Sequence, residues 1–295
     1  MNTNDQMQSP SFYGPVDESQ RTVLLENYLA SLNIRNGVLD PESGTLPNRE
    51  ESLSQMNAAP IHSVNSVKQD LFDRLYEQFN PRSPDLTPEM LLLLTFCKMN
   101  AGEAYGVRVV KTVHSRQDRG KTNLRTRVIQ VAQEEEEYHT RILVGAAHYY
   151  NINVTGIYRP KPALRFLIYS IAYAPRPLFH PILFASEVVG VYLFNWTLNQ
   201  IGNYIKSQPE LQQAMEQRLI EILIDEVGHV AFNRLVMGAS GRQLGHTLTY
   251  PTLRGMPTIT PELAALGFNG QVMRAFGNFD YRHLPEEVRR RGYFA

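Results

Sequence analysis

The sequence predicts an all-α fold, a four-helix bundle with extra flanking helices. Three observations carry that expectation. Apolar residues recur at helical spacing over four long stretches. Two of these stretches hold the same tetrapeptide, Glu136-x-x-His139 within Gln133-Glu134-Glu135-Glu136-Glu137-Tyr138-His139 and Glu226-x-x-His229 within Ile224-Asp225-Glu226-Val227-Gly228-His229. The other two each carry one carboxylate in an apolar middle, Glu103 in Ala101-Gly102-Glu103-Ala104-Tyr105-Gly106 and Glu187 in Phe184-Ala185-Ser186-Glu187-Val188-Val189-Gly190.

Residues 1–64 are rich in Ser, Asn, Pro and Gly and read as a partly ordered N-terminal extension with one short amphipathic piece at 22–32. The bundle is expected over 65–240. A helix over 64–79 stops at Pro81. Thr87-Pro88-Glu89-Met90 is a helix start, with Thr87 as N-cap and Pro88 in the first turn, and that helix runs to about 115. Gln117-Asp118-Arg119-Gly120 is a loop, and the next helix covers about 122–150. A long connection follows, with an apolar aromatic piece at 163–174, as a bundle needs where one link travels the length of the domain. The third long helix lies near 179–206 and the fourth near 210–237, closed by Gly238 and Gly241. The segment 241–295, with Pro251, Pro257 and Pro261, one short helix near 261–275 and the basic end Arg289-Arg290-Arg291, packs on the bundle or forms a subunit contact.

Hydrophobic residues make up 43% of the 295-residue chain and charged residues 20%, an ordinary soluble composition. Lys+Arg and Asp+Glu both number 29, which argues against nucleic acid as the main partner. The single cysteine, Cys97, sits in an apolar run and reads as a small core residue; no disulfide within the chain is possible, which fits a cytoplasmic protein. The N-terminus lacks the basic and apolar regions of a signal peptide. Residues 178–198 have the length of a membrane span, but Glu187 in their middle suits a buried helix with a metal ligand better, so no membrane span is expected.

The register of the four helices can be checked residue by residue. Steps of three and four give Leu92, Phe96, Met99, Glu103, Gly106, Val110 and Val113 on the first, and Ile129, Ala132, Glu136, His139, Leu143 and Ala146 on the second. They give His180, Leu183, Glu187, Gly190 and Phe194 on the third, and Met215, Leu219, Ile222, Glu226 and His229 on the fourth. Each polar group falls on the stripe that would otherwise be core. A buried carboxylate is costly unless paired or metal-bound, and no Lys or Arg lies on these stripes to pair with it. Glu103, Glu136, His139, Glu187, Glu226 and His229 are therefore the candidate ligands of two metal ions. Four carboxylates and two imidazoles favour iron, or iron with manganese, over zinc. Asp225 and Glu135, each preceding a ligand Glu, are placed to accept the free N–H of the opposite motif's His.

The order Glu103, Glu136-x-x-His139, Glu187, Glu226-x-x-His229 resembles the ferritin-like di-iron carboxylate proteins over about residues 88–238. In size and layout the chain looks most like the p-aminobenzoate N-oxygenase type. Those enzymes carry a further His one turn before the last Glu, where this chain has Ile222. The resemblance implies a ferritin-like bundle with two iron ions, dioxygen as co-substrate, a small organic substrate, and an external electron-donor protein or reductant. Monooxygenation and N-oxygenation are both open, as are acyl-chain desaturation and iron storage on the same bundle. A homodimer is compatible with the flanking segments.

Overall fold

The protein is all-helical in a computed structural model that describes residues 11–58, 61–65, 67–117, 123–154, 160 and 162–294. The first ten residues of the extension, positions 118–120 of the expected loop and most of the connection at 155–161 lie outside the described residues.

Helix α9 (Pro209–Val236) is the axis of the fold: every residue from Glu221 to Leu235 is buried. A helix covered on all sides needs neighbours all round. They are α5 (Leu124–His148), α7 (Arg176–Leu198), α1 (Arg21–Asn36) and α13 (Glu286–Arg291). Helix α4 (Pro88–Gln117) packs along α5, so two long pairs, α4 with α5 and α7 with α9, meet where α5 lies on α9. Local chemistry sets two of these starts. Thr87 Oγ1 accepts the Met90 N–H at 3.1 Å, and the Asn123 side chain accepts the Thr126 N–H at 3.0 Å. Helix α6 (Pro162–Ala172) bridges from α4 toward α7 and packs on α4 through Ala172 against Val109 and Val113.

The N-terminal segment is more structured than its composition suggests. Leu25, Tyr28, Leu29, Leu32 and Asn36 form one buried stripe of α1. Helix α2 (Pro47–Ala58) follows, buries Arg49 and Leu53, and docks on α5 through Glu50, which accepts from Tyr138 Oη at 2.5 Å and from Arg141 at 2.6 and 2.9 Å. Helix α3 (Gln69–Glu77) is shorter than the 64–79 expected, because Lys68 is extended and Glu77 is followed by the non-helical Gln78.

The largest departure lies after α9. Gly238 does not close a helix into loop; it is the N-cap of α10 (Ala239–Ile259), which runs through Pro251 and Pro257. An interior proline costs about 3 kcal/mol in a helix. Packing outweighs it here. Gly245 lets α10 sit so close to α7 that an added Cβ would fall 2.7 Å from the Phe184 ring and 3.2 Å from the Pro181 carbonyl. The third helix is also shorter than expected, ending at Leu198 before the short α8 (Ile201–Tyr204). The expected helix at 261–275 is split into α11 (Pro261–Ala265) and α12 (Gly270–Ala275) by Gly267, whose φ of 101° favours glycine.

Cys97 is buried, and burial pushes its thiol up to about 12, as suits a packing residue. Among the described residues one stretch, Pro177–Tyr204, is long and apolar enough to cross a membrane; most of its apolar part is buried inside the protein.

Gly228 fixes how α1 meets α9. A Cβ there would lie 2.8 Å from Tyr28 Oη and 2.9 Å from its ring carbon Cε2. Gly228→Ala is expected to destabilise the protein by about 1–3 kcal/mol through overpacking, read as a lower denaturation midpoint. Tyr28→Leu in the same chain should recover most of that loss; no loss, or no recovery, would mean α1 does not bear on α9 here.

Candidate metal centre

Where α4, α5, α7 and α9 come closest, six side chains face one another. Glu103 projects from α4, Glu136 and His139 from α5, Glu187 from α7, and Glu226 and His229 from α9. They form two groups, each able to hold a metal ion. One is Glu103, Glu136, His139 and Glu226; the other is Glu136, Glu187, Glu226 and His229; in each, the ligand atoms lie within 4.8 Å of one another. Glu136 and Glu226 belong to both groups, Glu103 and Glu187 to one each.

The imidazoles point their Nδ1 atoms inward. His139 Nδ1 lies 3.2 Å from Glu103, 3.3 Å from Glu136 and 3.3 Å from Glu226. His229 Nδ1 lies 2.9 Å from a Glu136 oxygen yet finds no hydrogen-bond partner of acceptable geometry. The outer nitrogens donate across the bundle, His139 Nε2 to Asp225 and His229 Nε2 to Glu135, each at 3.1 Å. A carboxylate can only accept, so each ring keeps a proton on Nε2, and Nδ1 is the atom that would lose its proton to a metal.

Burial and mutual charge set the protonation of these groups. Burial pushes the Glu103 carboxyl up to about 8, and burial with the Glu226 and Glu136 charges raises Glu187 well above the carboxylate range. Burial works against charge on both imidazoles but is outweighed. Hydrogen bonds to Asp225 and Glu103 raise His139, and the Glu136 charge with the Glu135 hydrogen bond raises His229. For Glu136, too, burial opposes charge and is outweighed, here by His229 and His139, which hold it below the usual range. Four carboxylates would balance two divalent ions, and the inward Nδ1 of His229, though 2.9 Å from Glu136, makes no hydrogen bond of acceptable geometry. The donor set therefore fits a pair of metal ions with mixed oxygen and nitrogen ligands.

A second layer comes from outside the four helices, and sequence reading missed it. Asn36 at the end of α1 donates to Glu135 at 2.7 Å. Arg35 of α1 and Arg49 of α2 both form ion pairs with Asp225. The same two guanidiniums reach Glu221, at 3.3 and 3.4 Å, and Arg291 of α13 reaches it at 2.6 Å. Glu221 sits one turn before Asp225 in an otherwise apolar stretch, the only local sign that a buried charge cluster exists there. Among the described residues none of these three arginines forms an ion pair with the six inner residues.

His180 is not brought to the metal groups. Its Nδ1 lies 3.0 Å from Asn233 Oδ1 and its Nε2 meets Arg125, so it ties α7 to α9 and α5. Ile222, where the resembled enzymes have a further His, is fully buried core.

Comparison with family models, with curated proteins and with solved structures finds no match to this chain.

Proposed function

We propose that this chain is a ferritin-like, non-haem di-iron oxygenase that uses dioxygen and electrons from an external donor to oxidise a small organic substrate. The observation that supports it is the sharing of Glu136 and Glu226 between two buried groups that each also hold one imidazole and one further carboxylate. Glu136 and Glu226 would serve both ions, Glu103 and Glu187 would each hold one, and His139 and His229 would complete the set. When bound, a pair of iron ions supplies the redox chemistry by which dioxygen is reduced and the substrate oxidised; an iron–manganese pair would fit the same donors.

The residues around the site suit that chemistry. The His side is closed: His139, His229, Glu135 and Asp225 are buried behind α1 and α2. The opposite side is less covered, with Glu103 and Glu136 side chains 18% and 16% exposed. Gly102 and Gly106 flank Glu103 on α4, and their Cβ directions meet nothing within 4 Å. Small molecules would approach past Glu103 and Glu136, while the buried carboxylates behind the imidazoles hold ring protons in place.

Iron storage on the same scaffold is the reading to be separated from this one. It needs a route by which oxidised iron leaves the site. Glu187 is the only acid of α7, and α4 has only Glu89 at its start besides Glu103, so those helices offer no acidic path outward. Purified protein given tens of ferrous equivalents per chain with oxygen is expected to keep about two bound and leave the excess precipitated. Soluble, protein-enclosed iron at high loading would overturn the oxygenase reading.

A further inference from the structure

The two imidazoles have unlike surroundings behind them. His229 donates to Glu135, whose other contact is the neutral amide of Asn36. His139 donates to Asp225, which is ion-paired with Arg35 and Arg49, and these in turn share Glu221 with Arg291. The layer behind His229 is thus one carboxylate and an amide, a net single negative charge. The layer behind His139 is three carboxylates, counting Glu287 that Arg291 also binds, and three guanidiniums, so it carries no net charge. The charges of Arg35, Arg49 and Asp225 are also felt at Glu135, but neither arginine forms an ion pair with it among the described residues.

An imidazole whose N–H meets an uncompensated carboxylate becomes a stronger donor, and fixed negative charge nearby favours a bound cation. Guanidiniums that bind the carboxylate take that charge up, and arginine stays protonated even when buried. The inner ligands do not offset this difference, since Glu136 and Glu226 are common to both groups and each group adds one Glu and one His.

We infer that the two metal positions are unequal: the position at His229 and Glu187 binds its ion more tightly and fills first, and Arg35 and Arg49 are positioning residues that weaken the position at His139 and Glu103. This rests on the dinuclear reading of the site. It gives the N-terminal helices a part in setting the order of metal loading and in distinguishing two different metals.

The test is anaerobic titration of the full metal-free chain with Co(II), followed by the visible absorption of the bound ion. Wild type should bind two ions in steps separated by roughly ten- to hundredfold. His229→Ala should lose the tighter step and His139→Ala the weaker. Glu135→Gln should weaken the first step by a similar factor. Arg49→Gln should strengthen the second step and narrow the gap, whereas an arginine that merely held the fold together would weaken it; Arg49→Lys should restore the gap. Equal steps in the wild type, a tight step that survives His229→Ala, or a second step weakened by Arg49→Gln would each overturn the ordering and leave the oxygenase proposal standing. Binding of one ion or none by the wild type would overturn the dinuclear reading itself.

Discussion

Replacing either shared carboxylate, Glu136→Ala or Glu226→Ala, should empty both metal positions, while Glu103→Ala or Glu187→Ala should empty one. The difference follows from membership: the first two residues lie in both four-residue groups and the last two in one each. Metal analysis after desalting, starting from protein loaded with iron without oxygen, reads the result as ions per chain. For Glu103→Ala and Glu187→Ala the loss should not come from unfolding. In the metal-free protein burial, aided by neighbouring carboxylate charge, pushes Glu103 and Glu187 up, so removing either relieves an unfavourable burial. Glu103→Ala and Glu187→Ala are therefore expected to keep a metal-free denaturation midpoint at or above that of the parent, whereas Glu136→Ala, which takes a buried partner from His139 and His229, should lower it. A Glu136→Ala protein that still held two ions per chain would remove Glu136 from the ligand set. Loss of both ions in Glu187→Ala would mean the groups are not divided as described.

What the sequence discloses about this protein depends on how local the determining interactions are. The four long helices were legible because each carries its own apolar stripe and, in two cases, its own start signal at Thr87 and Pro209. The polar residues that interrupt those stripes are equally local, which is why Glu103, Glu136, His139, Glu187, Glu226 and His229 could be named from spacing alone. So could Asp225 and Glu135, since each adjoins a motif. Their partners could not. Arg35, Asn36 and Arg49 lie in a polar N-terminal stretch, and nothing within a helical turn of them shows that they meet Asp225 and Glu135 across the fold. The prolines of α10 misled for a related reason. Pro251 and Pro257 each weaken the helix locally, but its stability comes from contact with α7 at Gly245, which no pattern within 239–259 reveals.

Metal-loaded and metal-free protein should respond to pH in opposite directions between about pH 6 and 8. In the free protein the groups of the site hold protons that their unfolded counterparts give up. Burial keeps Glu103 protonated up to about 8 and lifts Glu187 well above its ordinary value. Despite burial, hydrogen bonds and nearby carboxylates hold His139 and His229 charged above their ordinary range. For each of these four the folded value is raised, so the associated stability is present at low pH and is lost as pH rises through the folded value. The metal-free denaturation midpoint should therefore fall on going from about pH 6 to 8. Metal binding requires all four to lose a proton. Affinity then rises with pH, by up to about tenfold per unit for each proton displaced. The loaded midpoint should rise over the same interval, since an ion bound only to the folded state stabilises it in proportion to the logarithm of its affinity. Co(II) added to weakly buffered protein near pH 7 should release protons, as many as about four per pair of ions. Parallel pH trends for the two forms, or binding without proton release, would show that these side chains are not the groups the metal displaces protons from.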